Sequence, residues 1–129
     1  MEIEVRVYYE DTDLAGVVYY ANYLKFIERG RSEALRALGI DQVAMKAAGL
    51  VFVVRRLTAD YLAPARFDDL LRITTRVTQL RGASAVMTQE VLRGAERLFT
   101  AEVTIACMTV EGRPQRLPAD VRAKLGQLE

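Results

Sequence analysis

Histidine and tryptophan are absent from the 129 residues, and cysteine occurs only once. Without histidine the chain cannot supply a Ser-His or Cys-His nucleophile pair, a histidine general base or a histidine-ligated metal site. The single Cys107 excludes an intramolecular disulfide, and its place among apolar residues of a predicted strand is typical of inert core packing. Any acid–base chemistry must therefore use carboxylates, lysine, tyrosine or the backbone.

An excess of either charge is also missing, since 18 Lys and Arg stand against 17 Asp and Glu for a net charge of +1. This balance excludes the overall positive field typical of nucleic-acid-binding domains. No apolar run is long enough for a membrane span, and the first residues do not form a signal-peptide pattern. We therefore expect one cytoplasmic domain covering residues 1–129.

Hydrophobic periodicity predicts one strand, one long helix and then four strands. Apolar side chains alternate along residues 2–9, which is typical of a half-buried strand with Ile3, Val5, Val7 and Tyr9 on its buried face. The other predicted strands cover residues 51–62, 70–80, 84–92 and 97–110. Glycine-containing turns separate the last three, so neighbouring strands must pair in the antiparallel sense.

The long helix is predicted to begin at Asn22 as its N-cap and to run to about Leu38, with Gly39 as its stop. Shorter helices are predicted over residues 41–48 and 118–128. A helix that connects strands of one sheet must lie across a face of that sheet. The sequence therefore predicts an α+β fold in which an antiparallel sheet of about five strands wraps around one long helix.

The acidic segment EDTD, residues 10–13, stands directly before Gly16 and the apolar run that leads into this helix. By itself such a segment is a solvated loop closed by an Asx turn. Its position suggests more, because the first backbone N–H groups of a helix lack partners and carry partial positive charge, so they can hold a developing oxyanion. A carboxylate facing them would complete a base or nucleophile with an oxyanion site.

Thioester hydrolysis is compatible with so sparse a set of groups. A thiol with a pKa of roughly 8.5 leaves as thiolate, so the leaving group needs no acid, whereas an amide or ester would need one. This compatibility argument does not identify the reaction.

The residues from Tyr8 to Arg31 read YxxDTDxxGVVYxANYLxFxERxR, and this motif resembles the hotdog-fold acyl-CoA thioesterases, in particular the 4-hydroxybenzoyl-CoA thioesterase group and its YbgC-like branch. Two weaker matches are DYLAPARFDDLL, residues 60–71, and GRPQRLP, residues 112–118. The resemblance covers nearly the whole chain. It implies a hotdog fold, hydrolysis of acyl-CoA without a cofactor, and a homodimer at least, with a homotetramer expected.

Carried over residue by residue, the resemblance makes Asp13 the catalytic carboxylate, as nucleophile or as general base. It implies that Gly16 permits close approach of the loop and that Tyr20 offers its backbone N–H to the thioester carbonyl. The YbgC-like branch usually has histidine at the position of Tyr20, so the branch and substrate stay open.

Two further residues fit the motif as support for the site. Glu28 is the alternative carboxylate, which a different hotdog branch uses, although a helix-surface contact with Arg31 or Ser32 is the favoured explanation. Asn22 is expected to be a helix cap that supports the site, and Asp11 a turn residue.

Substrate contacts are predicted at four further positions: Arg81, Ser84, Val18 and Tyr19. Arg81 would meet the phosphates of coenzyme A, with Arg55, Arg56 and Arg93 as other candidates. The tyrosine-rich entrance favours an aromatic or short acyl group; its members are Tyr8, Tyr9, Tyr19, Tyr20 and Tyr23. A thioesterase acting on acyl carrier protein and a non-catalytic acyl-thioester binder remain the alternatives, while a hotdog dehydratase is disfavoured because those enzymes use histidine.

Overall fold

A computed structural model describes residues 1–128 and shows five strands and three α-helices. The elements, in chain order, are β1 (Glu2–Arg6), α1 (Asn22–Ala37), α2 (Gln42–Ala47), β2 (Leu50–Tyr61), β3 (Leu70–Leu80), β4 (Ser84–Arg93), β5 (Glu96–Thr109) and α3 (Ala119–Leu125). The strands form one antiparallel sheet in the order β1-β3-β4-β5-β2. The predicted hotdog architecture, a sheet with one long helix against it, is confirmed. Within residues 1–128 no helix is long and apolar enough to cross a membrane.

Helix α1 packs across β1, β3 and β4 on the inner face of the sheet. The buried stripe of this helix includes Tyr23, Phe26, Ile27, Ala34 and Leu35. On the sheet, the inward residues of β3 alternate; they are Leu71, Ile73, Thr75 and Val77. The burial of these two stripes against each other supplies the main apolar contact of the fold.

One glycine sets how closely α1 approaches the sheet. A Cβ added at Gly30 would lie 2.8 Å from Cγ2 of Ile73 and 3.1 Å from Oγ1 of Thr75. Directly beside it, the fully buried Gln89 donates from Nε2 to the C=O of Ile27 and to Oγ1 of Thr75, both at 2.8 Å. The helix and the sheet are therefore joined by a buried hydrogen-bonded bridge as well as by apolar packing.

The strand β1 is shorter than predicted. It ends at Arg6, and residues Tyr9–Asp11 form a 3₁₀ turn in which the carboxylate of Asp11 accepts a hydrogen bond from the N–H of Tyr8 at 2.8 Å. This turn carries Tyr9 out of the sheet, so its side chain is 84% exposed and the prediction that it is buried was wrong. Val7, by contrast, is completely buried as predicted.

The other predicted boundaries lie within one or two residues of the observed ones. Gly39 ends α1 with a φ of +79°, a value that favours glycine. Asp41 caps α2, since its Oδ1 accepts from the N–H of Ala44 at 3.0 Å. The predicted C-terminal helix is α3 followed by a 3₁₀ turn over Gly126–Leu128.

Candidate active site

The loop between β1 and α1 folds back on itself as a small hairpin. The N–H of Asp13 donates to the C=O of Val17 at 3.0 Å, and the N–H of Tyr19 donates to the C=O of Asp11 at 2.9 Å. The tip closes where the N–H of Gly16 donates to the C=O of Asp13 at 2.9 Å, and Gly16 has a φ of +80°. Because this turn needs a positive φ, glycine is the residue that forms it without strain.

The carboxylate of Asp13 lies at this tip and is exposed. Its Oδ1 accepts from the N–H of Ala15 at 2.9 Å, which is the Asx turn that the sequence suggests. Within residues 1–128 no lysine or arginine nitrogen lies within 4 Å of this carboxylate. One oxygen is thus held by the loop, while the side chain as a whole stays exposed.

The start of α1 follows two residues after this hairpin. Its N-cap is Ala21 rather than Asn22, and Ala21 offers no capping side chain. The prediction of Asn22 as N-cap was therefore wrong: Asn22 is the first helical residue, and its Nδ2 instead donates to the C=O of Asp11 at 3.0 Å. This contact ties the acidic loop to the helix and is consistent with a supporting role.

The backbone N–H of Tyr20 has no hydrogen-bond acceptor among residues 1–128. It lies one residue before the N-cap of α1, close to the end of the helix where the helix dipole adds partial positive charge. The hairpin places residues 11–13 alongside residues 17–19, directly before this N–H. The chain thus brings an exposed carboxylate and a free backbone donor into one short loop.

The segment after β2 holds the other side of the loop. The C=O of Ala65 accepts from the N–H of Val18 at 2.8 Å, and the hydroxyl of Tyr61 donates to the C=O of Tyr20 at 2.7 Å. Behind it, the buried hydroxyl of Tyr23 accepts from the N–H of Ala65 at 3.0 Å. Burial raises the pKa of Tyr23. Tyr61 was not predicted as a site residue, although it lies near the end of the strand predicted over residues 51–62.

The predicted tyrosine-rich entrance divides into three parts. Tyr19 and Tyr20 are exposed with ring centroids 5.0 Å apart, and Tyr20 lies 6.3 Å from Tyr61. Tyr23 is buried in the core and stacks on Phe99 at 5.0 Å, so its inclusion in the entrance was wrong. The remaining two, Tyr8 and Tyr9, are exposed on the preceding turn.

Arg93 is held by carboxylates and is not free for a substrate phosphate. Its guanidinium contacts Asp69 at 2.8 Å and Glu96 at 2.7 Å. Burial acts to raise the pKa of Asp69, but hydrogen bonds from the Arg66 N–H and from Arg93, together with their charges, lower it overall. The contacts among Asp69, Arg93 and Glu96 stabilise the loop that carries Ala65.

Glu28 lies farther along α1, about 9 Å from the helix start by helical rise. Its Oε1 accepts from the hydroxyl of Ser32 at 3.4 Å, so the predicted helix-surface contact is present. Both residues line a cavity of about 170 Å³ with Arg31, whose Nη1 donates to Oε1 of Gln89 at 3.0 Å. Burial lowers the pKa of Arg31, and the charge of Glu28 partly opposes that shift.

The four predicted substrate contacts differ in their exposure. Tyr19 and Arg81 are exposed, whereas Val18 is 3% and Ser84 is 4% exposed. Within this single chain, the side chains of Val18 and Ser84 are buried, and their contacts with a substrate stay predictions.

Arginines gather around the turn between β3 and β4. Arg81 donates to Oε1 of Gln79 at 3.1 Å and lines a cleft of about 620 Å³ with Arg55 and Arg56. The guanidinium of Arg122 donates to the C=O of Arg81. Arg116 also reaches the turn, since its Nη1 lies 3.4 Å from a Cβ placed on Gly82. Sequence reasoning missed Arg116 and Arg122 because they come from the C-terminal segment, far away in the chain.

Comparison with known proteins finds thioesterases by family model, by sequence and by structure. The model of the thioesterase superfamily matches residues 15–100. The chain is 46% identical to the acyl-CoA thioester hydrolase YbgC of Escherichia coli O6:H1 over 125 residues, covering 95% of this chain and 93% of the relative. It is 42% identical to the acyl-CoA thioesterase YbgC of Haemophilus influenzae, covering 97% and 93%. The crystal structure of a probable thioesterase from Bartonella henselae superposes with a TM-score of 0.87 at 46% identity, covering 92% of this chain and 98% of that one. The chain therefore belongs to the thioesterase superfamily.

Proposed function

We propose that the protein hydrolyses acyl-CoA thioesters, with the Asp13 carboxylate as base or nucleophile and the Tyr20 N–H as oxyanion donor. One observation supports this arrangement above the others: the exposed carboxylate and the N–H without an acceptor lie on one hairpin loop. The similarity to YbgC hydrolases along almost the whole chain supports acyl-CoA as the substrate class.

The chemistry follows from these two groups. In the general-base route, Asp13 takes a proton from water as the water oxygen attacks the thioester carbonyl carbon. The carbonyl oxygen becomes an oxyanion that the Tyr20 N–H stabilises, and collapse of the intermediate expels the thiolate. In the nucleophilic route the same carboxylate attacks the carbonyl carbon, the C–S bond breaks and the thiolate leaves, and water then opens the resulting anhydride to release the acid and regenerate Asp13. Neither route needs a histidine or a cofactor, since coenzyme A enters as part of the substrate.

The nucleotide end of coenzyme A is proposed to lie at the turn between β3 and β4. Arg81 is exposed there, and Arg116 and Arg122 approach the same turn. Guanidinium groups suit phosphate because they present a fork of donors with a permanent charge. Tyr19 and the exposed ring of Tyr20 would contact the acyl portion.

We further propose that the active protein is at least a homodimer, with a homotetramer as the expected assembly. Strand β2 is an edge of the sheet, so one side of its backbone lacks strand partners in a single chain. Val54 on this strand is 50% exposed. Pairing β2 with a second copy would satisfy the edge and cover such side chains. We place the protein in the cytoplasm, where the thiol of Cys107 stays reduced.

The experiment is thiol release from a panel of short-chain, long-chain and aromatic acyl-CoAs by the wild type, Asp13→Asn and the control Glu10→Gln. Glu10 is an exposed carboxylate of the same loop, so the control removes a charge without touching the proposed site. Loss of Asp13 should lower kcat by about a hundredfold or more, because general-base catalysis contributes ~10²–10⁴, while Glu10→Gln should retain full activity.

Each other result has a definite meaning. Full activity of Asp13→Asn would overturn the proposed mechanism and direct attention to Glu28→Gln. An absence of hydrolysis across the panel would overturn acyl-CoA hydrolysis. The same acyl groups on acyl carrier protein would then separate a carrier-protein thioesterase from a binding protein.

A further inference from the structure

The hydroxyl of Tyr61 has no part in the mechanism above, yet it reaches the backbone of the proposed oxyanion donor. It donates to the C=O of Tyr20 at 2.7 Å, although the two residues are 41 positions apart. Tyr61 is the last residue of β2 and pairs with Phe99 of β5. A sheet residue therefore holds the residue that immediately precedes the helix N-cap.

Packing fixes the ring of Tyr61 from two sides. Its centroid lies 5.0 Å from that of Phe99 and 5.4 Å from that of Tyr23, in edge-to-face geometry at both contacts. Directly after it, the N–H groups of Leu62 and Ala63 both donate to the C=O of Leu98. A group on a strand held in this way is positioned more accurately than one on a free loop.

The hydroxyl is also a permanent donor at neutral pH. Burial raises the pKa of Tyr61 above that of a free tyrosine, and the neighbouring Tyr20 and Tyr23 act in the same direction. The phenol is therefore protonated throughout the range in which a thioesterase would be assayed.

Together with a second contact, Tyr61 fixes both peptide groups that flank the Cα of Tyr20. On one side the C=O of Tyr19 accepts from the N–H of Asn22 at 2.8 Å, and on the other the C=O of Tyr20 accepts from Tyr61. With both peptide planes held, the direction of the Tyr20 N–H is set before a substrate arrives. Such preorganised donors stabilise an oxyanion without a reorganisation cost during the reaction.

We infer that Tyr61 is a positioning residue for oxyanion stabilisation, acting through the backbone of Tyr20. This inference rests on the proposed role of the Tyr20 N–H. It adds that the sheet, through one phenol, orients the donor at the start of the helix.

The test is Tyr61→Phe, which keeps the ring and removes only the hydroxyl. We expect kcat to fall roughly two- to tenfold, the range that one net hydrogen bond provides, with KM unchanged and a small fall in the melting temperature. Thr100→Val is the control, because it also removes one hydroxyl, and the alternation of strand side chains places Thr100 of β5 on the opposite face of the sheet from Phe99, which packs on Tyr61. A residue that serves only the fold would lower the melting temperature and leave kcat unchanged.

A second measurement does not depend on turnover. The N–H of Ala21 belongs to the same peptide group as the C=O of Tyr20, so loss of the Tyr61 hydrogen bond should move the ¹⁵N resonance of the Ala21 amide. Thr100→Val should leave that resonance in place.

The outcomes separate the inference from the proposed function. If Asp13→Asn abolishes hydrolysis while Tyr61→Phe keeps kcat within about 1.5-fold of wild type, the inference is overturned and the proposed function stands. An unmoved Ala21 resonance would overturn it as well. If Asp13→Asn is fully active, the proposed mechanism at this loop is overturned, and the positioning role that rests on the same site is overturned with it.

Discussion

Replacing Gly30 with alanine should destabilise the protein, although alanine is the better helix former. The gain in helix propensity is about 1 kcal/mol. Against it stands the new methyl group, 2.8 Å from Cγ2 of Ile73 and 3.3 Å from Nε2 of Gln89. Ile73 is completely buried and β-branched, so its Cγ2 cannot turn away without leaving its preferred rotamer.

The magnitude follows from two costs. Overpacking of this kind costs about 1–3 kcal/mol. Displacement of Gln89 would also weaken its hydrogen bonds to the C=O of Ile27 and to Thr75, and a buried polar group left without a partner costs about 1–3 kcal/mol. Subtracting the propensity gain leaves a net destabilisation of roughly 1–5 kcal/mol. For a chain of this length each kcal/mol lowers the melting temperature by about 3–5 °C.

The assay is urea unfolding followed by circular dichroism at a fixed protein concentration, since assembly makes stability concentration-dependent. A lower midpoint with an unchanged m-value is the expected result. Gly126→Ala is the control: its φ is −62°, and an added Cβ would lie 3.9 Å from Cδ1 of Leu80, an ordinary contact. If Gly30→Ala is as stable as wild type or more stable, the tight approach of α1 to the sheet is refuted.

Two further variants test the support of the candidate site. Tyr23→Phe should lower the free energy of unfolding in urea by about 1–3 kcal/mol, because the buried N–H of Ala65 loses its acceptor. Tyr9→Phe should leave it unchanged, and equal stability of the two variants would refute the argument. The pKa of Asp69 is lowered in the folded state, so its ion pair stabilises the protein above the unfolded pKa of about 3.9, and that contribution is lost as the pH falls below this value. Between about pH 5 and pH 2, the free energy of unfolding of Asp69→Asn should therefore fall by less than that of the wild type. Equal falls in the two proteins would contradict this.

The sequence predicted the elements whose side chains follow a simple period. Strand β3 has the predicted bounds because its inward residues alternate without interruption. Tyr9 continues the alternation of β1 but lies on a 3₁₀ turn. The chain bends there because the Asp11 carboxylate accepts a hydrogen bond from the Tyr8 N–H. A local polar contact of this kind competes with periodicity and is invisible to it.

The candidate site also combines residues that a local sequence pattern predicts with residues that it does not. Asp13, Gly16 and Tyr20 could be named from one continuous motif, and their roles stay predictions. Tyr61 was missed because its contact to Tyr20 exists only after β2 has joined the sheet. Arg116 reaches the turn beside Arg81 only after the chain has returned from the far end of β5. Contacts between distant segments need the topology, which a single sequence does not supply.

The strand order has a consequence for how the chain acquires its structure. Strands β3, β4 and β5 are joined by short turns and can pair as soon as they are made, whereas Glu2 of β1 pairs with Thr74, and Leu50 of β2 pairs with Thr109. Pairings so distant in sequence form slowly, since loop closure must precede the contacts that reward it. During synthesis the first 61 residues, which include the acidic hairpin and Tyr61, leave the ribosome before β3, β4 and β5 have been made. We therefore expect the candidate catalytic loop to be among the last parts of the molecule to become ordered.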